Sequence, residues 1–150
     1  MNSPAGFCAS WLPMKKYETF ATTADIGIRF RGHDFADLYE NAVCGLNVLL
    51  FGKNRKLPAD SESCHFSFRG DSVENVLVNL LAEVLSLAYQ KKQRVVAMVC
   101  SHADGCFLAA DLRLAEIKGE PELDIKAVTY HNLRVVEKDG IKEASIIVDI

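Results

Sequence analysis

Between Val73 and Leu87 the chain carries Val73, Val76, Leu77, Val78, Leu80, Leu81, Val84, Leu85 and Leu87, leaving Asn75, Asn79, Glu83 and Ser86 as its polar stripe at helical spacing. A helix lying on one sheet needs an apolar arc of about 100°. This arc is wider, so the helix must be covered on two sides, and that demand implies layers of strands around helices. With 150 residues, 49% of them hydrophobic, the chain is long enough to bury such a core in one domain.

The neighbouring segments supply the layers. Ile26, Ile28 and Phe30 alternate with Gly27, Arg29 and Arg31, the period-two pattern of a half-buried strand. From Phe35 the spacing changes to Phe35, Leu38, Ala42, Val43, Leu46 and Leu50, an amphipathic helix stopped by Gly52. A polar connector containing Pro58 leads to a short strand at Cys64, Phe66 and Phe68. Asp71 is then expected to cap the second helix, with Glu74 completing a capping box. Strands are predicted over 95–100, 106–114, 125–130, 133–137 and 144–150, with Asp139-Gly140 as the clearest hairpin turn. The predicted class is α+β: layered mixed or antiparallel sheets with two main helices packed between or against them. Residues 1–14, with Ser3, Pro4, Gly6 and Pro13 and no periodicity, are expected to be a disordered leader, and 15–150 a single domain.

Composition narrows the function. A net charge of −3 lacks the basic field that phosphate backbones select, so tight autonomous RNA binding is not expected. Five cysteines without a C-x-x-C pair fit reduced thiols in a cytoplasmic protein. Cys100, His102 and Cys106 straddle an expected turn at Asp104-Gly105 and lack a fourth ligand, so packing is the better reading than zinc. No apolar run reaches the ~18 residues of a membrane span. Gly27 and Gly32 have the spacing that opens a P-loop, but His33 stands where its lysine would be, so no nucleotide site is recognised. His33, His65, His102 and His131 are scattered without a nucleophile-and-orienter pattern, and the chain is read as not an enzyme. Glu40 and Glu83 read as solvated or capping charges.

Three separated runs carry a resemblance. Thr23-Ala24-Asp25-Ile26-Gly27-Ile28, followed by an acidic amphipathic helix with Asp37-Leu38-Tyr39-Glu40-Asn41-Ala42, is similar to the signature of the archease family. Ile125-Lys126-Ala127-Val128-Thr129-Tyr130-His131-Asn132-Leu133 resembles that family's most recognisable run, and Val148-Asp149-Ile150 resembles its C-termini. The likeness spans roughly Lys15 to Ile150 in the right order. One departure is Thr22, where archeases usually have His, and the stretch between Leu114 and Ile125 is shorter than usual.

The resemblance implies an archease-like fold and a non-catalytic activator of the RtcB-type tRNA-splicing RNA ligase, which promotes ligase guanylation and multiple turnover. tRNA or broken RNA would be met only through the ligase. It also implies a divalent-cation site made by Asp25, Asp149 and the terminal carboxylate of Ile150. In the last predicted strand Ala144, Ile146 and Val148 share one face, so Asp149 points with Ser145 and Ile147 to the other. If Asp25 joined it within ~5 Å, each like-charge pair would cost about 3 kcal/mol at an effective dielectric of ~20, which calls for a counter-ion or protons. Oxygen ligands favour calcium, magnesium or manganese. On the residues alone, a strand-entrance aspartate and a solvated terminal charge are the plainer account; the resemblance favours the cation site. Lys126, Thr129, Tyr130 and His131 are candidate partner contacts, against the plain reading of a strand entering a turn. Two rival readings are a chaperone-like protein-binding module and a metal-dependent hydrolase.

Overall fold

In the structure, a computed structural model, residues 15–52 and 62–150 are described. The expected leader 1–14 and the connector around Pro58 lie outside them. In chain order the elements are β1 (Tyr17–Ala21), β2 (Ile26–Gly32), α1 (Phe35–Phe51), β3 (Glu62–Arg69), α2 (Val73–Gln90), β4 (Gln93–Ala103), β5 (Phe107–Glu116), β6 (Ala127–Thr129), β7 (Val136–Lys138) and β8 (Ile141–Asp149).

Every strand pairing is antiparallel. One sheet runs β1-β2-β8-β6, with β7 also paired to β8; the other runs β3-β5-β4. Both helices lie between the sheets: α1 packs on β1, β2 and β8 and also touches β4, while α2 packs on β3 and β4 and reaches β6. The wide arc of α2 is thus buried on several sides, through Val76, Leu77, Val78, Leu80, Leu81, Val84, Leu85, Leu87 and Ala88. Ile28, Phe30, Ala144, Ile146 and Val148 from the first sheet and Leu108, Ala110, Leu112 and Leu114 from the second close the core around it. Burial of this continuous apolar surface is the main stabilising term.

The ends of the elements follow local chemistry. At α1 the Asp34 side chain accepts from the Asp37 amide (2.8 Å), and the Asp37 carboxylate in turn accepts from the His33 amide (2.9 Å). Gly52 ends the helix at φ 80°, as its position predicts. At α2 the cap is Ser72, not Asp71: Ser72 is extended and its Oγ accepts from the Asn75 amide at 3.1 Å. Asn75 Oδ1 accepts from the Asp71 amide (3.2 Å), while Glu74, the expected box partner, accepts instead from the Val135 amide (2.9 Å). A capping box needs its acceptor three residues beyond the cap, and a helix beginning at Val73 puts Asn75 there.

Asp139 and Gly140 adopt φ 54° and 78° in the β7–β8 hairpin, as expected of that pair. β1 lies outside the strands expected from the sequence. It buries little: among the described residues only Tyr17 of the strand packs on the core, against α1, and no strand pairs with its outer edge. The expected solvated charge at Glu40 is instead half-buried, and burial pushes its carboxyl pKa up. Cys44, Cys64, Cys100 and Cys106 are all free thiols.

Candidate functional site

Register brings the two ends of the domain together. β2 and β8 pair so that Ile26 faces Val148 and Ile28 faces Ile146, leaving Asp25 and Asp149 one step beyond the last matched pair on adjacent strands. β8 alternates as the sequence indicates: Ala144, Ile146 and Val148 are buried, and Asp149 leaves the core on the opposite face. Asp149 is clamped on its other side by β6, where Ala127 is its register partner and the Lys126 amide donates to its carbonyl at 2.7 Å. Asp25 belongs to the four-residue loop that joins β1 to β2, closed by the pairing of Ala21 with Ile26.

Around these strand ends lies an open pocket of about 540 Å³, lined by Thr22, Thr23, Ala24, Asp25, Ile26, Thr129, His131, Ile147, Val148, Asp149 and Ile150. All three expected cation-site residues, Asp25, Asp149 and Ile150, are therefore in one place. Asp25 is half-buried, while Asp149 and Ile150 are exposed. Water screens such groups, so their mutual repulsion is weaker than the value expected for a less exposed cluster. Among the described residues neither aspartate side chain has an ion-pair or hydrogen-bond partner. Among the described residues no group of three or more His, Cys, Asp or Glu side chains is placed to hold a metal ion.

The four candidate partner contacts divide. Thr129 and His131 line the pocket: the Thr129 hydroxyl donates to the Ile147 carbonyl (3.0 Å) and accepts from the His131 amide (3.2 Å). Tyr130 and Lys126 lie outside its lining. Tyr130, 51% exposed, turns toward α2 and accepts from Asn75 Nδ2 at 2.8 Å. Lys126 is exposed beside the end of β8. The expected turn is present, with the Leu133 amide donating to the Tyr130 carbonyl (3.0 Å) and Asn132 at φ 55°. His102, from the rejected zinc cluster, engages Asp104 at 2.8 Å in the β4–β5 turn.

Thr22 was not singled out as a site residue from sequence. Its signal is a threonine three residues before an aspartate at a strand start, a pattern that allows a side-chain turn but is common in loops.

Over residues 17–150 the sequence matches the Archease protein family. The chain belongs to the archease family. Protein archease of Thermoplasma volcanium is 31% identical over 136 residues, which cover 89% of this chain and 98% of the relative. Protein archease of Methanothermobacter thermautotrophicus is 26% identical over 142 residues, covering 91% and 100%. A solution structure of a Methanobacterium thermoautotrophicum protein superposes with a TM-score of 0.70 at 26% identity, over 91% of this chain and all of that one. The crystal structure of an archease from Thermotoga maritima, described as a possible chaperone, gives a TM-score of 0.63 at 19% identity over 93% and 99%, a likeness of fold alone. The archease fold is thus α+β with two antiparallel sheets enclosing two helices. No helix among the described residues is long and apolar enough to cross a membrane.

Proposed function

We propose that the protein is a non-catalytic activator of an RtcB-type tRNA-splicing RNA ligase in the cytoplasm, working through a divalent-cation site at Asp25, Asp149 and the Ile150 carboxylate. Family membership supports the partner. The observation that carries the site is the register of β2 on β8, which gathers these residues at one pocket while leaving both aspartate side chains without partners among the described residues.

The donor set fits a hard cation. Carboxylate oxygens suit calcium, magnesium or manganese, and an open pocket leaves room for coordinated water. A bound divalent ion supplies positive charge for nucleotide phosphates. The chain's own residues do the rest: β2 and β8 fix the spacing of the two aspartates, and Thr129 holds the backbone of His131 at the opposite rim. The exposure of Lys126 and Tyr130, outside the pocket, supports reading them as contacts with the ligase surface. With a net charge of −3, RNA is met through the ligase rather than by this chain.

The test is single-turnover guanylation of the cognate ligase with GTP, with and without this protein. Faster guanylation that disappears with Asp25→Ala or Asp149→Ala is the expected result. Equal activation by wild type and both variants would refute the cation-site mechanism, and no activation by wild type would refute the partner.

A chaperone-like role is the second reading, favoured by the description of the Thermotoga maritima relative as a possible chaperone. The exposed apolar residues Val99, Tyr130, Val136 and Ile150 lie on four different elements or turns. Client protection that survives both aspartate substitutions would favour it.

A further inference from the structure

Asp149 and Asp25 are held in different ways. Asp149 ends a strand paired on both sides, and its own backbone is held by β6, where Ala127 is its register partner and the Lys126 amide donates to its carbonyl. Asp25 lies in the loop of an edge hairpin, and both of its peptide groups are held by a single residue. The Asp25 amide donates to Thr22 Oγ1 at 2.9 Å, and the Asp25 carbonyl accepts from the Thr22 amide at 2.8 Å. Thr22 Oγ1 also accepts from the Ala24 amide (3.2 Å), and its own proton points back to the Asp25 carbonyl at 3.4 Å.

Bonds to the groups on either side of one Cα restrict its φ and ψ, and with them the direction of Cα–Cβ. A carboxylate on such a residue is aimed before any ligand arrives, which lowers the ordering cost of binding. Thr22 is exposed, so little of this network serves the core.

We propose that Thr22 is the positioning residue of the cation site, its hydroxyl fixing the loop so that Asp25 faces the pocket it shares with Asp149. This rests on the cation-site reading above. Thr22→Val keeps the shape and β-branching of the side chain and removes only the hydroxyl; Thr22→Ser keeps the hydroxyl.

Calcium and manganese titrations by calorimetry on the full chain test it, alongside hydrogen exchange of the Asp25 amide. Thr22→Val is expected to weaken cation binding about tenfold, and Thr22→Ser to stay within about twofold of wild type, as for groups that orient metal ligands. Asp25 amide exchange should accelerate in Thr22→Val alone, with the melting temperature of both variants close to wild type. Wild-type affinity in Thr22→Val, with cation binding strongly weakened in Asp25→Ala, would overturn this proposal and leave the site reading standing. A wild-type protein that binds neither cation would overturn both.

Discussion

Two hairpin loops of this protein each present an aspartate, and the two aspartates are used in opposite ways. In the β4–β5 turn, Asp104 is saturated: its carboxylate accepts from the amides of Cys106 and Phe107, both at 2.9 Å, and meets His102 Nε2 at 2.8 Å. Its carbonyl accepts from the buried Tyr39 hydroxyl at 2.7 Å, which ties the turn to α1. In the β1–β2 loop the turn is held by Thr22 instead, and the Asp25 carboxylate has no partner among the described residues. An aspartate that closes its own turn has spent its oxygens on local structure; one whose turn is closed by a neighbour keeps them for a ligand.

Substitutions can break this contrast. The largest effect expected is on binding: Asp25→Ala should lower calcium affinity by at least about a hundredfold in calorimetry, since losing a ligand costs more than losing a group that orients one. Its melting temperature should stay near that of wild type. A large drop in stability would mean that Asp25 is structural after all. Asp104→Ala should do the reverse, lowering the melting temperature by a few degrees in a thermal scan while leaving cation affinity unchanged.

Acid titration sharpens the same point. The Cys106 amide first, then His102 and the Phe107 amide, hold the Asp104 carboxyl down to about 2, against an ordinary value of 3.8. A carboxylate with a lowered folded pKa stabilises the fold above its unfolded value, and that contribution is lost as pH falls through the folded one. Stability followed by denaturant melts should therefore decline between about pH 4 and 2, and Asp104→Asn should flatten that part of the curve.

Smaller changes probe the anchors. Tyr39→Phe removes a single buried hydrogen bond to the turn and should cost about 1 kcal/mol in chemical denaturation. Ser72→Ala should cost about 1 kcal/mol, and Asp71→Ala no more than a few tenths, because Ser72 holds the cap. Equal losses at both positions would restore the cap expected from sequence.

Much of the fold was legible because its signals are local. The stripe from Phe35 to Leu50, the broad arc from Val73 to Leu87 and the Asp139-Gly140 turn depend on spacing and backbone preference within a few residues. β1 was not legible, because an edge strand with one core-facing side chain has no strong alternation to show. The cap of α2 was misplaced by one residue, since Asp71 and Ser72 are both good caps and only the helix start at Val73 chooses between them. At the site, family resemblance named Asp25, Asp149 and Ile150. The role of Thr22 depends on hydrogen-bond geometry that its spacing alone does not specify.

By itself the sequence determined the two helices, most strands and the face from which Asp149 emerges, since side-chain direction follows from periodicity along a single element. Which strands are neighbours was decided only in three dimensions. Covering the apolar faces of both helices requires two sheets, and in the one that packs on α1 and reaches α2 through β6, β8 lies between β2 and β6; that pairing, not any local preference, brings residues 25 and 149 to the same pocket.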